Sequence, residues 1–285
     1  MALQLRTGRP TDGKACGRIC YEAFKAIAQQ HGFPPDWPSI EFAQAVVTAM
    51  LVREDVYSVV AERDGHVVGS NFLHHTGAVA GIGPITVAPH EQDGAIGRRM
   101  MEHVLGVVRE KRYAGVRLVQ AAYHCRSMSL YAKLGFDVRE PLACLQGSAL
   151  GITVPGYPVR TATMDDLDAC CMLSARVHGH ERRVELGEAI KQGTATVVER
   201  GGHITGYATV VAFWGHAVAA TTDDIQALIG AAPAFLGAGF LVPTRNASLF
   251  RWCLAHGLRV TQPLTLMTLG LYNEPTGAFL PSILF

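Results

Sequence analysis

The sequence predicts a mixed α/β protein (an α+β mixed-sheet fold) built from two tandem copies of one fold, and three observations lead to this prediction. The segment ERDGHVVG at 62–69 returns as ERGGHITG at 199–206. The segment GFDVREPL at 135–142 returns as GLRVTQPL at 257–264. Within the first copy, a strand hairpin precedes strand–helix–strand units, an order typical of helices packed on a mixed sheet.

The boundary between the copies is predicted near 147–158, GSALGITVPGYP, whose glycines and prolines are typical of a linker. Each copy also begins with Arg-Thr, at Arg6 and at Arg160, followed by Asp and Cys at matching spacings. We therefore predict domains at 1–148 and 156–285. Each is expected to be a mostly antiparallel mixed sheet flanked by helices, with the second copy shorter and degenerate.

Hydrophobic periodicity and turn residues define the elements of the first copy. Helices are predicted at 11–30, 40–51, 96–112 and 126–133, and strands at 56–62, 66–73, 82–87, 116–122 and from 136 onward. Asp64-Gly65 predicts a hairpin turn, because positive φ favours glycine there. In the second copy, the apolar stretch 227–242 is interpreted as a buried helix and loop.

Composition excludes several functional classes. The 285 residues are 49% hydrophobic and 17% charged, with a net charge of +1, so no nucleic-acid surface is expected. No apolar run approaches the roughly 20 residues that span a bilayer. The N-terminus lacks the apolar segment that a secretory signal peptide needs. Seven cysteines without a C-x-x-C motif predict reduced thiols and a cytoplasmic protein. Monomer and homodimer both remain open.

The segment VAPHEQDGAIGRRMM at 87–101 is predicted to bind an anion. A strand ends before Pro89, and a small-residue turn opens directly into an amphipathic helix. Backbone amides at a helix N-terminus attract negative charge, and small side chains permit close approach. Glycines that merely allow tight strand–helix packing are the alternative. The G-x-G-x-x-G and G-K-[ST] motifs are absent, which excludes the Rossmann and P-loop variants.

Two motifs identify a family resemblance. The spacing Gln92-x-x-Ala95-x-Gly97 resembles the pyrophosphate loop of the GCN5-related N-acetyltransferase (GNAT) family, with Ala95 where glycine is usual. The segment SMSLYAKLGF at 127–136 is similar to the family's later helix motif, with His124 where asparagine is usual. The resemblance covers about residues 4–146, and the tandem arrangement resembles a subgroup with a weaker second copy.

The resemblance implies acetyl-CoA as co-substrate, bound where two parallel strands splay apart, here 82–87 and 116–122. Pro84 is consistent with a bulge or an unpaired edge in the first of these strands. A free amide on that strand would hydrogen-bond the thioester carbonyl. The implied cofactor-binding residues are Ile85, Thr86, Val87, Gln92, Asp93, Gly94, Ala95, Ile96, Gly97, Arg98, Ser127 and Tyr131.

Tyr131 is the predicted proton donor to the leaving thiolate, the alternative being a ring that only packs beneath the cofactor. The base is open, because the strand segment VAGIGPITV lacks a carboxylate. His75 and His124 are the named candidates, with Tyr123 and His74 beside them, and adjacent histidines on a strand face opposite sides. A terminal carboxylate at Phe285 is a further candidate.

The loop HGFPPDWPS at 31–39 is predicted to cover the acceptor site. The predicted substrate-binding residues are Phe33, Trp37, Asn71 and Tyr123, with Asp36 or Glu41 available to attract a cationic amine. The alternative is a helix–helix connection whose aromatic side chains are buried.

The second copy lacks this chemistry. Its segment AVAATTDDIQALIG at 217–230 has no pyrophosphate-binding motif, and Asp223-Asp224 would repel a pyrophosphate group. Cys253 stands in the place of Tyr131 and is interpreted as a small buried residue. His178-x-His180 is interpreted as a surface pair, and no metal is expected.

The sequence thus predicts an acetyl-CoA-dependent N-acetyltransferase that acylates a primary amine of a small molecule or peptide by direct attack in a ternary complex. The alternatives are a non-catalytic acyl-CoA-binding regulatory protein and an assembly scaffold.

Overall fold

The computed structural model describes residues 3–75 and 77–284. In the first half the strands are β1 (Gln4–Thr7), β2 (Val56–Arg63), β3 (His66–His74), β4 (Val79–Val87), β5 (Gly115–Ala121) and β6 (Asp137–Gln146), and the helices are α1 (Gly13–Gln30), α2 (Ile40–Leu51), α3 (Ile96–Glu110) and α4 (Cys125–Lys133). In the second half the strands are β7 (Val159–Thr161), β8 (Thr196–Arg200), β9 (His203–Ala208), β10 (Ala217–Ala219), β11 (Phe240–Pro243), β12 (Arg259–Gly270) and β13 (Ala278–Leu280), and the helices are α5 (Leu167–His178), α6 (Arg183–Lys191), α7 (Thr222–Ala231) and α8 (Ala247–Ala255).

The strands form two sheets. The larger has eight strands in the order β1-β2-β3-β4-β5-β12-β6-β11, and the smaller has five in the order β13-β10-β9-β8-β7. Strands β4 and β5 are parallel. The apolar stripe of α3, which includes Ile96, Met100 and Val104, packs on one face of the larger sheet. Helices α1 and α2 bury Cys16, Cys20 and other side chains on the opposite face. The predicted mixed-sheet fold class is confirmed.

The two halves exchange their last long strands. Strand β12 of the second half lies between β5 and β6, and β6 of the first half pairs with β11 of the second. At the centre, Leu142 on β6 is the register partner of Leu264 on β12. These two leucines occupy the same position in the repeated segments. The ranges 1–148 and 156–285 remain a prediction, and both contribute strands to the larger sheet.

Both halves carry the same ion-pair arrangement at their first strand. Arg6 contacts Asp12 at 2.7 Å and Glu62 at 2.8 Å. Its counterpart Arg160 contacts Asp166 at 2.7 Å and Glu199 at 3.0 Å. A bidentate Arg–carboxylate contact fixes both orientation and distance. Each arginine therefore anchors the start of the first long helix to the first hairpin of its half.

Most predicted elements of the first half agree with the structure to within a few residues, and the hairpin turn has positive φ at Asp64 (53°) and Gly65 (79°). The stretch 227–242 differs from its interpretation. Helix α7 ends at Ala231, and residues 240–243 form β11, which pairs with β6. The segment FLVP is buried at the edge of the larger sheet, and its pairing with β6 decides its conformation. Across the described ranges, every helix is too short or too polar to cross a bilayer.

Candidate active site

Strands β4 and β5 separate to form a gap. They pair only from Val79–Gly81 against Gly115–Arg117, and each strand then continues without the other, β4 to Val87 and β5 to Ala121. A register shift between Asn71 and Leu73 on β3 places a bulge opposite, at Gly83 and Pro84 of β4. The bulge turns β4 away from β5. Pro84 thus lies at a register shift, which a bulge and a simple strand irregularity would both produce.

Backbone amides of β4 point into this gap. Ala88 N donates to Val68 O on β3 at 2.9 Å, so the amides of Ala88 and Thr86 face β3. Because amides alternate sides along a strand, those of Ile85 and Val87 face the gap. The side chain of Thr86 is buried, with 4% of its surface exposed. Ile85 and Val87 therefore present hydrogen-bond donors through the main chain.

The glycine turn after β4 is open to solvent. Residues 92–95 are exposed, and α3 begins immediately afterwards at Ile96. Asp93 and Ala95 adopt left-handed conformations, with φ of 70° and 58°. Gln92 Nε2 donates to Val87 O at 3.3 Å and so braces the turn against the end of β4. The first-turn amides of α3 are left without helical partners and face outward.

Space is available above this turn. A Cβ built on Gly97 would come no closer than 3.8 Å to another atom, at Val87 Cγ2. One built on Gly94 would come no closer than 3.6 Å, at Glu91 O. The glycines are therefore not required by packing within the protein. They leave the amides of the turn accessible to a ligand.

A cationic groove of about 420 Å³ runs between α3 and α4 beside the turn. It is lined by Arg98, Cys125, Arg126, Ser129, Leu130 and Lys133. Arg98 also pairs with Glu102 at 2.8 Å, and Arg126 pairs with Asp93 across the mouth of the groove. Arg98 was predicted from its sequence position, whereas Arg126 and Lys133 were missed. Their spacing from Tyr131 along α4 was the available signal.

Tyr131 lies on α4 with only 6% of its surface exposed. It belongs to the same buried cluster as Ile82 of β4 and Leu118 of β5, and its ring lies against Phe136. Burial raises the pKa of the Tyr131 phenol, which keeps it protonated at neutral pH. Ser127 Oγ lies 3.0 Å from Gln120 Oε1 and ties the start of α4 to β5.

Two of the predicted acceptor-site aromatic residues meet. Phe33 stacks on Tyr123, with ring centroids 4.2 Å apart and an interplanar angle of 8°. Trp37 instead packs in the cluster beneath α1 and α2, 6.4 Å from Phe24. Asn71 is fully buried on the face of α3, where its Nδ2 lies 3.5 Å from Met101 Sδ. The structure therefore does not bring Asn71 to the acceptor side of the sheet.

The candidate histidines occupy different places. His74 Nε2 donates to Gly83 O at 2.8 Å beside the bulge, and burial lowers its pKa. His75 lies against Tyr113 at the closed end of the parallel pair, with ring centroids 6.3 Å apart, so the structure does not bring it to the gap. His124 precedes α4, and burial and Arg126 lower its pKa. The proposed terminal carboxylate of Phe285 lies outside the described residues.

A polar chain at the end of β5 was not anticipated. Tyr123 Oη donates to Gln262 Oε1 at 3.2 Å, and Gln262 Nε2 donates to Asp36 Oδ1 at 3.0 Å. Gln262 belongs to β12 and so comes from the second half. Burial raises the pKa of the Asp36 carboxyl, and the Gln262 hydrogen bond partly opposes this rise. Asp36 was one of two carboxylates considered for amine attraction, whereas Gln262 was missed.

Comparison with known proteins assigns the first half. The model of the acetyltransferase (GNAT) family matches residues 19–136, which include the gap, the glycine turn and α4. Residues 19–136 are therefore similar to GNAT acetyltransferase domains. An IAA acetyltransferase of Azospirillum brasilense is 30% identical over 93 residues, which are 32% of this chain. The match spans 61% of that relative's length.

Two solved structures share the fold of the whole chain. One, from Pyrococcus horikoshii and described as a candidate acetyltransferase, aligns over 96% of this chain and 91% of its own with a TM-score of 0.72 and 18% identity. A GCN5-related N-acetyltransferase from Sphaerobacter thermophilus aligns over 95% and 96% with a TM-score of 0.62 and 13% identity. The fold of the whole chain, with both halves, is therefore shared with these two structures.

The second half differs from the first half at the corresponding gap. Gly69 pairs with Val87 in the first half, and the repeat counterpart Gly206 pairs with Ala219 of β10. Strand β13 then pairs antiparallel with β10, Ala217 opposite Leu280, and packs against β11. Strand β13 thus occupies the position that is open in the first half.

Other second-half features serve its packing. Asp224 is fully buried, pairs with Arg200 at 3.0 Å and caps α7 together with Thr221. Cys253 is buried, and burial raises its pKa to about 12. His178 and His180, interpreted as a surface pair, are each 7% exposed, and burial lowers their pKa values to about 3 and about 4. Within the described ranges, no group of three or more metal-ligating side chains is assembled.

Proposed function

We propose that this protein is an acetyl-CoA-dependent N-acetyltransferase that acetylates a primary amine of a small molecule or peptide in a ternary complex. The observation that carries the proposal is the continuity of one surface. The exposed glycine turn, the cationic groove and the gap between β4 and β5 lie side by side in the GNAT domain. We also place the reaction in the cytoplasm, because all seven cysteines are free thiols.

The residues present fit coenzyme A. The amides of 92–98, with the N-terminus of α3, suit the pyrophosphate, and a Cβ at Gly94 or Gly97 would occupy the space needed. Arg98, Arg126 and Lys133 line the groove as donors for phosphate oxygens, and Glu102 and Asp93 pair with the two arginines there. Ile85, Thr86 and Val87 run beside the gap that leads to the acceptor side. No part of this set requires a metal ion.

When bound, acetyl-CoA supplies an activated acetyl thioester. The amides of Ile85 and Val87 are placed to donate hydrogen bonds to its carbonyl oxygen, where negative charge develops as the amine attacks. The Tyr131 hydroxyl donates its proton to the leaving sulfur as the carbon–sulfur bond breaks. The phenol is protonated at neutral pH, as a proton donor must be, and burial raises its pKa, which makes it a weaker acid than a free tyrosine.

The runner-up function is acyl-CoA binding without turnover, and β4 favours it in one respect because it carries no carboxylate. Release of free CoA, measured by thiol capture over a panel of primary amines, tests the proposal, with CoA affinity measured by calorimetry in parallel. Amine-dependent CoA release is the expected result. CoA binding with no release on any amine would establish the runner-up, and failure to bind CoA would contradict both.

A further inference from the structure

We propose that Asp36, Gln262 and Tyr123 form the acceptor-recognition element of the enzyme, with Asp36 binding the substrate ammonium and accepting its proton. Gln262 is a positioning residue that the second half contributes to the site of the first. The inference rests on the proposed function and names its acceptor class, a primary ammonium carried on an apolar or aromatic group.

The hydrogen-bonded chain of Tyr123, Gln262 and Asp36 lies at the end of β5. Tyr123 follows the last residue of β5 by two positions, so it lies at the open end of the gap. Asp36 reaches this point from the loop between α1 and α2 through its hydrogen bond to Gln262. The negative charge of Asp36 contributes to raising the pKa of Tyr123 to about 12, which places the two groups within electrostatic reach. A carboxylate therefore stands at the acceptor end of the gap, on the side opposite α3.

Charge and burial indicate what Asp36 binds. A half-buried carboxylate favours an opposite charge over water, and its raised pKa makes it a better proton acceptor than an exposed aspartate. The Phe33–Tyr123 ring pair lies next to it and offers apolar surface and a π-face. An ammonium is attracted both to a carboxylate and to an aromatic face. Together these groups fit a cation attached to an apolar or aromatic group.

Gln262 is placed to orient both partners. Its side-chain oxygen accepts from Tyr123 Oη and its nitrogen donates to Asp36 Oδ1, so each end of the amide is committed. With only 2% of its surface exposed, it is held in one position within β12. By the hydrogen bond to the carboxylate it lowers the pKa of Asp36 against the effect of burial.

The internal repeat places an equivalent polar contact in each half. Gln262 in GLRVTQPL corresponds to Glu140 in GFDVREPL, and Tyr123 corresponds to Arg245 at the same interval. Glu140 of the first half is hydrogen-bonded to Arg245 of the second, with Arg245 Nε 2.9 Å from Glu140 Oε2. Each exchanged strand thus delivers one polar side chain to the end of the other half's strand. In the first half, the strand end that receives this side chain, at Tyr123 after β5, borders the open gap.

Transfer of the acetyl group from sulfur to nitrogen releases one proton overall. The ammonium gives one proton to the Asp36 carboxylate, which later passes it to solvent. The amine nitrogen forms a bond to the acetyl carbon, and the carbon–sulfur bond breaks with its electron pair going to sulfur. Sulfur takes the proton of Tyr131, and the second proton of the nitrogen returns to the Tyr131 oxygen. The products are the amide, the CoA thiol and one proton released to water.

The test compares Asp36→Asn and Gln262→Leu with the wild-type protein, using 2-phenylethylamine as the cationic probe and 2-phenylethanol as its uncharged match. We expect Asp36→Asn to lower kcat/KM for the amine by about 100-fold or more, with the affinity for acetyl-CoA unchanged. Gln262→Leu should lower it about 10-fold and move the acidic limb of its pH profile to higher pH, because the carboxylate loses a hydrogen bond.

Binding separates this inference from the proposed function. The amine, but not the alcohol, should raise the melting temperature of the wild-type protein and fail to do so for Asp36→Asn, whether or not turnover occurs. Equal kcat/KM values and pH profiles in the wild type and both variants would overturn the inference while leaving the acetyltransferase intact. No amine turnover by the wild type, with amine stabilisation that depends on Asp36, would overturn the proposed function instead.

Discussion

Leu142 of β6 and Leu264 of β12 are register partners at the centre of four strands, β5, β12, β6 and β11, that alternate between the two halves. Because the leucines occupy equivalent repeat positions, the pair marks a local two-fold relationship within one chain. The second half is therefore part of the first half's sheet, although its own gap is filled by β13.

This relationship predicts that the halves do not fold apart. Residues 1–150 alone lose β12, which leaves the long edges of β5 and β6 without partners, and unpaired edges promote aggregation. We expect this fragment to be insoluble or to self-associate. Coexpression with residues 151–285 should restore a soluble complex, detected by copurification. A monomeric 1–150 fragment with cooperative unfolding would contradict the prediction.

Gly97→Glu should abolish CoA binding, because a carboxylate at the start of α3 fills the space above the turn and repels the pyrophosphate. The matched control is Gly106→Glu on the same helix, where a Cβ meets nothing within 4 Å. Calorimetry should give one CoA per chain for the wild type and the control. Two CoA sites per chain would mean that β13 leaves the second half able to bind.

Tyr131→Phe should lower kcat by about 10- to 100-fold, at the lower end of acid catalysis because a thiolate is already a good leaving group. The affinity for CoA should change little, since the ring keeps its place against Phe136. Steady-state kinetics and calorimetry on the same preparation separate the two effects. An unchanged kcat would remove the proton-donor role from Tyr131.

Ala95→Gly should raise the free energy of unfolding by about 0.5–1 kcal/mol, because Ala95 has a φ of 58° and glycine adopts that conformation without strain. Ala132→Gly, on the exposed face of α4, should lower it by about 1 kcal/mol through the loss of helix propensity. Urea denaturation of both variants checks the opposite signs. If both variants are destabilised, the turn carries no strain at Ala95.

Asp166→Asn should destabilise the protein by about 1–3 kcal/mol at pH 7, because Arg160 loses a buried charged partner. Arg160 lowers the pKa of Asp166 to about 2, from 3.8 for a free side chain. The stabilisation is therefore full above about pH 4 and is lost as the pH falls towards 2. Asp165→Asn, an exposed neighbour, is the control. A difference from wild type that persists at pH 2 would exclude the ion pair as its cause.

Much of the first half was predictable because its signals are local. The turn at Asp64-Gly65, the stripe of α3 and the motif around Tyr131 are each read within about fifteen residues, and the structure confirms the elements they specify. The positions of the two adjacent histidines, His74 and His75, were harder to predict from the sequence. Alternation along a strand shows that His74 and His75 face apart, but only their contacts show that His74 lies against Gly83 and His75 against Tyr113.

The amino-acid sequence by itself determined the repeated segments, the small-residue turn that opens into α3 and the similarity of residues 19–136 to the GNAT family. Only the tertiary structure decided that β12 crosses into the first half and that Gln262 meets Asp36, 226 positions away in the chain. The physical reason is that a strand's partners depend on which edges remain unpaired after the whole chain has folded. No single segment of the sequence contains that information, and it places the side chain of Gln262, from the second half, at the open end of the first half's gap.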